Sequence, residues 1–205
     1  FYINISEKRI WLADLAVKYF RNFASQYISF MERSPELIQN PLTLEQIIDY
    51  GDTKNLSQLS KDAVQINNFF NNNTGLDTIW DVAASAPHRY GDLFNCSFIV
   101  MIDEFQNTGE YVYRDEACQS SCDKTIPGTW HDLSESKIAP LLVTGSYVGW
   151  LINIIDTYLE AGRLKRFVMN PYLEPEAGLE AVYRYASAYR EFITNESATQ
   201  INKLC

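Results

Sequence analysis

The stretch CSFIVMIDEFQNTGEY, residues 96–111, runs through an unbroken apolar segment straight into two adjacent carboxylates, Asp103 and Glu104. An apolar run of that length suits a strand covered on both faces, as in a parallel sheet packed between helices. Two acids at its end carry a desolvation cost unless water or a cation meets them. The plain reading is a pair of solvated acids in a loop just past a core strand. The chemical reading is a carboxylate pair that holds a metal ion and a water.

Similar segments lie on either side. PLLVTGS (140–146) and RFVMNP (166–171) are further apolar runs of strand length, and Phe1 to Ile5 is a short β segment rich in aromatic and β-branched residues. Between the second and third runs, YVGWLINIIDTYLEAG has a helical pattern with Gly162 placed to end it. After the third, EPEAGLEAVYRYASAYREFI puts Leu179, Val182, Tyr183, Ala186 and Tyr189 on one helical face. Strands alternating with helices predict an α/β fold, a three-layer parallel sheet with right-handed crossovers.

The first half is more helical. Ser6 is placed to cap a long amphipathic helix in which Leu12, Leu15, Ala16, Tyr19, Phe20, Phe23 and Tyr27 recur at three- and four-residue steps. Thr43 and Gln46 have capping-box spacing, with Gly51 as the expected stop. A third helix is expected over Leu56 to Phe70, and a fourth over Leu76 to Ala86, ending before Pro87. Residues 107–139 are polar and long for a connection, and read as an insertion with one short helix near Thr129 to Lys137.

Composition narrows the function classes. With 46% hydrophobic and 21% charged residues the chain is an ordinary globular sequence, without a run able to span a bilayer. The net charge of −9 argues against a nucleic-acid surface, since phosphate backbones need a clustered basic face. Only Arg163, Lys165 and Arg166 form a local basic knot. Four irregularly spaced cysteines do not make a disulfide framework, which favours a reducing, cytoplasmic setting. The chain opens on FYINIS, already strand-like, and stops at INKLC inside a helical pattern, as a piece of a longer protein would.

The order FIVMIDEFQ, PLLVTGSYVGWL, EAGR and RFVMNPYLEPEAGLEAV resembles the P-loop ATPases of the STAND/AAA+ type, above all the prokaryotic and archaeal ATPase-domain family. The resemblance covers about Trp80 to Ala186. It implies that Asp103 is the Walker B acid that binds Mg²⁺ and that Glu104 is the catalytic base. Gln106 matches the polar residue after that box, on the cofactor side. Thr144 and Ser146 fall at the sensor-1 position, and Arg163 at a Gly-Arg position suited to sensing phosphate or a neighbouring subunit. The implied cofactors are ATP and Mg²⁺. The implied layout is one partial ATPase core: an N-terminal strand and helical part over 1–96, the Walker B region to the last core helix over 97–193, and a following helical region over 194–205.

One element of that family is missing. No G-x-x-x-x-G-K-[ST] occurs in the 205 residues, so the phosphate-binding loop is expected upstream of FYINIS, and the chain alone is expected to bind ATP weakly or not at all. In the family the strand bearing that loop sits mid-sheet, between the sensor-1 strand and the last strand. Its removal predicts a gap between PLLVTGS and RFVMNP, or a rearranged sheet. The alternative is a degenerate, nucleotide-free module that serves as a protein-interaction scaffold, through self-association or a partner protein.

Other constellations are less specific. Cys118-x₃-Cys122 with His131 could supply three zinc ligands, with a local disulfide or two free thiols as the competing readings. His88 reads as a solvated loop histidine. Ser146, His131 and Asp103 make a hydrolase triad on paper only, because TGS lacks the G-x-S-x-G elbow. The four tryptophans read as core or interface, and Gly149 with Trp150 as a close helix contact.

Overall fold

The computed structural model describes residues 1–72, 75–159, 163–167 and 173–204. They form two compact units, Phe1–Leu164 and the residues from Lys165 onward. In the first, β1 (Tyr2–Asn4) and β2 (Ile10–Trp11) lead into the helices α1 (Leu12–Glu32), α2 (Glu36–Gln39), α3 (Leu44–Thr53), α4 (Ser57–Asn72) and α5 (Leu76–Phe94). Then follow β3 (Val100–Asp103), a 3-10 turn (Phe105–Gly109), β4 (Val112–Tyr113), 3-10 turns at Ile126–Trp130 and Leu133–Glu135, β5 (Leu141–Val143) and α6 (Val148–Tyr158). The second unit holds α7 (Pro175–Ala188) and α8 (Asn195–Leu204).

The fold is mixed α/β, with a small parallel sheet and helices packed around it. The sheet order is β1-β3-β5, with Asn4 opposite Asp103 and Ile102 opposite Val143. A second parallel pair joins β2 to β4. The last four residues of the apolar run 97–103 form the central strand, paired with β1 and β5, but its burial alternates, so it is not covered on both faces as expected.

The two edges of the sheet differ. On the outer edge of β1, Gln26 Nε2 donates to the Tyr2 carbonyl (2.7 Å), Gln26 Oε1 accepts from the Tyr2 amide (2.8 Å), and Lys18 Nζ donates to the Asn4 carbonyl (3.0 Å). Side chains of α1 thus satisfy an edge that would otherwise recruit another strand. Among the described residues strand β5 pairs with β3 alone, and Leu142, Tyr147 and Val148 at and after it are exposed. Residues 166–167, the described part of the expected RFVMNP strand, are not in a strand; the rest of that segment and Gly162 lie outside the described residues.

The core is built on α1, whose Leu12, Leu15, Ala16, Tyr19, Phe20 and Phe23 are all buried. Each such large apolar side chain contributes roughly 1.5–3 kcal/mol on burial. Trp130 stacks edge-on to Trp80 (5.1 Å between ring centroids) and to Phe105 (5.4 Å), and Trp80 meets Tyr19 (5.7 Å). This aromatic column supports the chain just after the acid pair. Residues 107–139 supply Val112, Ile126 and Trp130 to the same core. They carry two 3-10 turns where one short helix was expected.

Several local expectations are corrected. Ser6 caps no helix: α1 begins at Leu12, after β2, with Trp11 at its N-cap. The Thr43–Gln46 capping box forms, but α3 runs on past Gly51 to Thr53. Gly51 is there for space, since a Cβ would lie 2.9 Å from the Ser60 amide nitrogen of α4. Helix α5 does not stop before Pro87 but passes through it to Phe94. Pro87 brings no amide donor for the Ala83 carbonyl, and around it Ser85 Oγ donates to the Asp81 carbonyl and Arg89 Nη2 to the Val82 carbonyl. His88 is therefore helical and half-buried, with Nδ1 2.7 Å from Ser136 Oγ, not a solvated loop residue. Gly149 has nothing within 4 Å of a built Cβ, so it marks no close helix contact. In the second unit, Gly178 does mark one: its Cβ would meet Asn202 Oδ1 of α8 at 2.0 Å.

Candidate functional site at the tips of β3 and β5

Along β3, Val100 and Ile102 face the core while Met101 and Asp103 are half-exposed, the alternation of an ordinary strand. Glu104 breaks it. Its backbone is left-handed (φ 56°, ψ 42°), a costly conformation for a residue with a Cβ. Without that break, consecutive side chains would point to opposite faces. With it, Asp103 and Glu104 both bond to the tip of β5.

The turn is stapled to both neighbouring strands. The Ile5 amide donates to the Asp103 carbonyl (3.0 Å), Asn107 Nδ2 to the Ile5 carbonyl (2.8 Å), and the Phe105 amide to the Thr144 carbonyl (3.0 Å). Phe105, Gln106, Asn107, Thr108 and Gly109 are all buried, so the acids project from a fixed base.

Both oxygens of Asp103 are engaged. Oδ1 accepts from Thr144 Oγ1 (2.6 Å) and the Glu104 amide (3.1 Å); Oδ2 accepts from Asn4 Nδ2 and Tyr2 OH (both 3.0 Å). The Thr144 hydroxyl, with Asn4, Tyr2 and the Glu104 amide behind it, holds this carboxyl below the usual carboxylate range. Among the described residues Glu104 accepts through a single oxygen. Its Oε2 accepts from Gln106 Nε2, Ser146 Oγ (2.8 Å) and the Ser146 amide (3.3 Å). These donors, Gln106 foremost and then Ser146, also lower its pKa, outweighing the opposing charge of Asp103. Both acids are therefore ionised at neutral pH.

Of the residues singled out from sequence, Asp103, Glu104, Gln106, Thr144 and Ser146 come together. Arg163 bonds elsewhere, to Glu135 (2.8 Å) and the His131 carbonyl (3.4 Å). Gln106 is fully buried, so it meets the site through Glu104 and has no surface for a cofactor. Tyr2 and Asn4 were missed, though the two-residue period of FYINI places them on one face of β1. Gly145 was read only as part of a strand end.

For a hard cation the donor set is suitable: a carboxylate with a neighbouring hydroxyl resembles the sparse protein share of many Mg²⁺ sites, which leave other positions to water and phosphate. No group of three or more His, Cys, Asp or Glu side chains arranged to hold a metal occurs among the described residues. The zinc reading of Cys118, Cys122 and His131 falls with that: both thiols are free, and His131 Nδ1 lies 2.9 Å from Asp132 Oδ1. Ser146 Oγ donates to Glu104, and Asp103 accepts from Thr144, Asn4, Tyr2 and the Glu104 amide, so the hydrogen bonds of these residues among the described ones make no triad with His131. No helix among the described residues is long and apolar enough to cross a membrane. No family model, no curated protein and no solved structure matches this chain.

Proposed function

We propose that the tips of β3 and β5 form the hydrolytic half of a nucleoside-triphosphatase site of the P-loop, STAND/AAA+-like type. The observation that carries this is the paired arrangement of Asp103 with Thr144 and Glu104 with Ser146 across two adjacent parallel strands. Ligands of α/β sheets gather outside the carboxyl ends of the strands, where these four side chains lie. Among the described residues no strand pairs with the far edge of β5, where the resemblance places the strand of the phosphate loop.

In this reading Asp103 and the Thr144 hydroxyl hold Mg²⁺, directly or through water. The metal, when bound, draws charge from the phosphate oxygens. Glu104 accepts hydrogen bonds on Oε2 from Gln106 and Ser146, and keeps Oε1 to orient a water and take its proton. Ser146, bonded to Glu104 by both amide and hydroxyl, links the base to the start of α6. Phosphate donors must come from a loop that the 205 residues do not contain. The test is calorimetric titration of the full-length gene product with Mg²⁺-ATP. Expected is binding that Asp103→Ala weakens at least tenfold; no binding to the wild-type protein overturns the proposal.

A second reading has its own support. All the contacts of Asp103 are already made by protein donors, as in a latch that only joins three strands. A nucleotide-free scaffold is the outcome if Mg²⁺-ATP neither binds nor raises the melting temperature.

A further inference from the structure

We infer that Gln106, seated against Gly145, is the positioning residue that turns Glu104 so that its Oε1 alone is left to receive a water. This rests on the hydrolytic reading of Glu104 given above.

The hydrogen bonds around Glu104 are lopsided. Three donors converge on Oε2, from Gln106 Nε2, Ser146 Oγ and the Ser146 amide, and Oε1 accepts none among the described residues. Ser146 alone would hold the carboxylate from one side. Gln106 holds it from beneath, out of the buried turn that follows β3, and so fixes the direction of the free oxygen. Its amide can face only one way, because the reverse orientation would set its carbonyl against a carboxylate, two acceptors together.

That orientation has a cost. Gln106 Oε1 is buried and has no hydrogen-bond partner among the described residues, an arrangement that lowers stability. An apolar side chain of similar length would avoid it. A polar residue there makes sense if its task is to hold Glu104, not to fill the core. Gly145 makes the seat possible. A Cβ on Gly145 would stand 2.0 Å from Gln106 Oε1 and 3.1 Å from its Cδ, so every other residue type would push the amide out. The backbone of Gly145 is not left-handed, so the glycine serves space and not conformation. The central residue of TGS is therefore tied to the base at the tip of the neighbouring strand, through one amide.

The experiment follows the side-chain carboxyl carbon of Glu104 by NMR through a pH titration, in the wild type, Gln106→Met and Gly145→Ala, with thermal unfolding alongside. Expected is an upward shift of the Glu104 titration in both variants, because each removes a donor to the ionised form. Gln106→Met is also expected to melt at or above the wild-type temperature, since it removes an unpaired buried carbonyl. A core role predicts the reverse: a lower melting temperature with the Glu104 titration unmoved. An unmoved titration in Gln106→Met overturns the inference, whatever the melting temperature does. No nucleotide enters the measurement, so a protein that hydrolyses no ATP leaves this result standing. If hydrolysis is found and the titration is unmoved, only the role of Gln106 fails.

Discussion

Thr144 Oγ1 donates to Asp103 Oδ1 across 2.6 Å, joining the tips of neighbouring parallel strands at the point where their ladder ends. The Thr144 amide donates to the Ile102 carbonyl (3.0 Å) and the Thr144 carbonyl accepts from the Phe105 amide (3.0 Å), so backbone and hydroxyl act as one clamp. Thr144→Val keeps the shape and removes only the donor. Urea unfolding is expected to show a loss of about 0.5–1.5 kcal/mol, towards the lower end because Thr144 is exposed. No loss at all would mean that water replaces the hydroxyl without penalty.

Acid should unfold this protein in part through the same clamp. Asp103 and Glu104 titrate lower in the folded chain than in the unfolded one. Their stabilising contribution is therefore complete above the unfolded carboxyl range, about pH 4. It declines as pH falls below that range, through the folded pKa values. Asp103→Asn is expected to flatten the fall in unfolding free energy below about pH 4. An unchanged acid limb in that variant would place the linkage on other carboxylates.

A buried pair elsewhere gives a stronger test of the fold. Asp62 of α4 is nearly inaccessible and binds Arg89 Nη1 (2.8 Å), Tyr90 OH (2.9 Å) and Gln58 Nε2 (2.8 Å). Burial, then the Asp62 charge, pushes the Tyr90 hydroxyl well above its ordinary pKa. Arg89→Ala leaves the carboxylate without its counter-ion and should cost about 3 kcal/mol. The double variant Arg89→Ala, Asp62→Asn should recover part of that loss in the same unfolding assay. Equal stability of the single and double variants would show that Arg89 acts through the Val82 carbonyl instead.

The apolar runs carried much of the architecture in their composition. SFIVMID, PLLVTGS and FYINI each hold one strand of the small sheet. Helix boundaries were harder to read where tertiary packing overrode local signals. Pro87 looked like a stop, yet burial of Tyr90 and Gly91 beyond it carries α5 onward. The acid pair was legible at the end of its apolar run, and the two hydroxyls through the resemblance that singled out TGS. The left-handed turn at Glu104 was not legible, since Glu carries no preference for that backbone region. The need for Gly145 was equally hidden, because it arises from Gln106, a residue 39 positions earlier that only the sheet brings alongside.

The most direct test of the hydrolytic proposal is single-turnover hydrolysis of Mg²⁺-ATP by the full-length gene product, in the wild type and in Glu104→Gln. Expected is measurable phosphate release by the wild type, and a loss of at least a hundredfold in Glu104→Gln with ATP binding retained. Equal rates in the two proteins, or no nucleotide-dependent phosphate release from the wild type, would contradict the assignment of Asp103 and Glu104 to this chemistry.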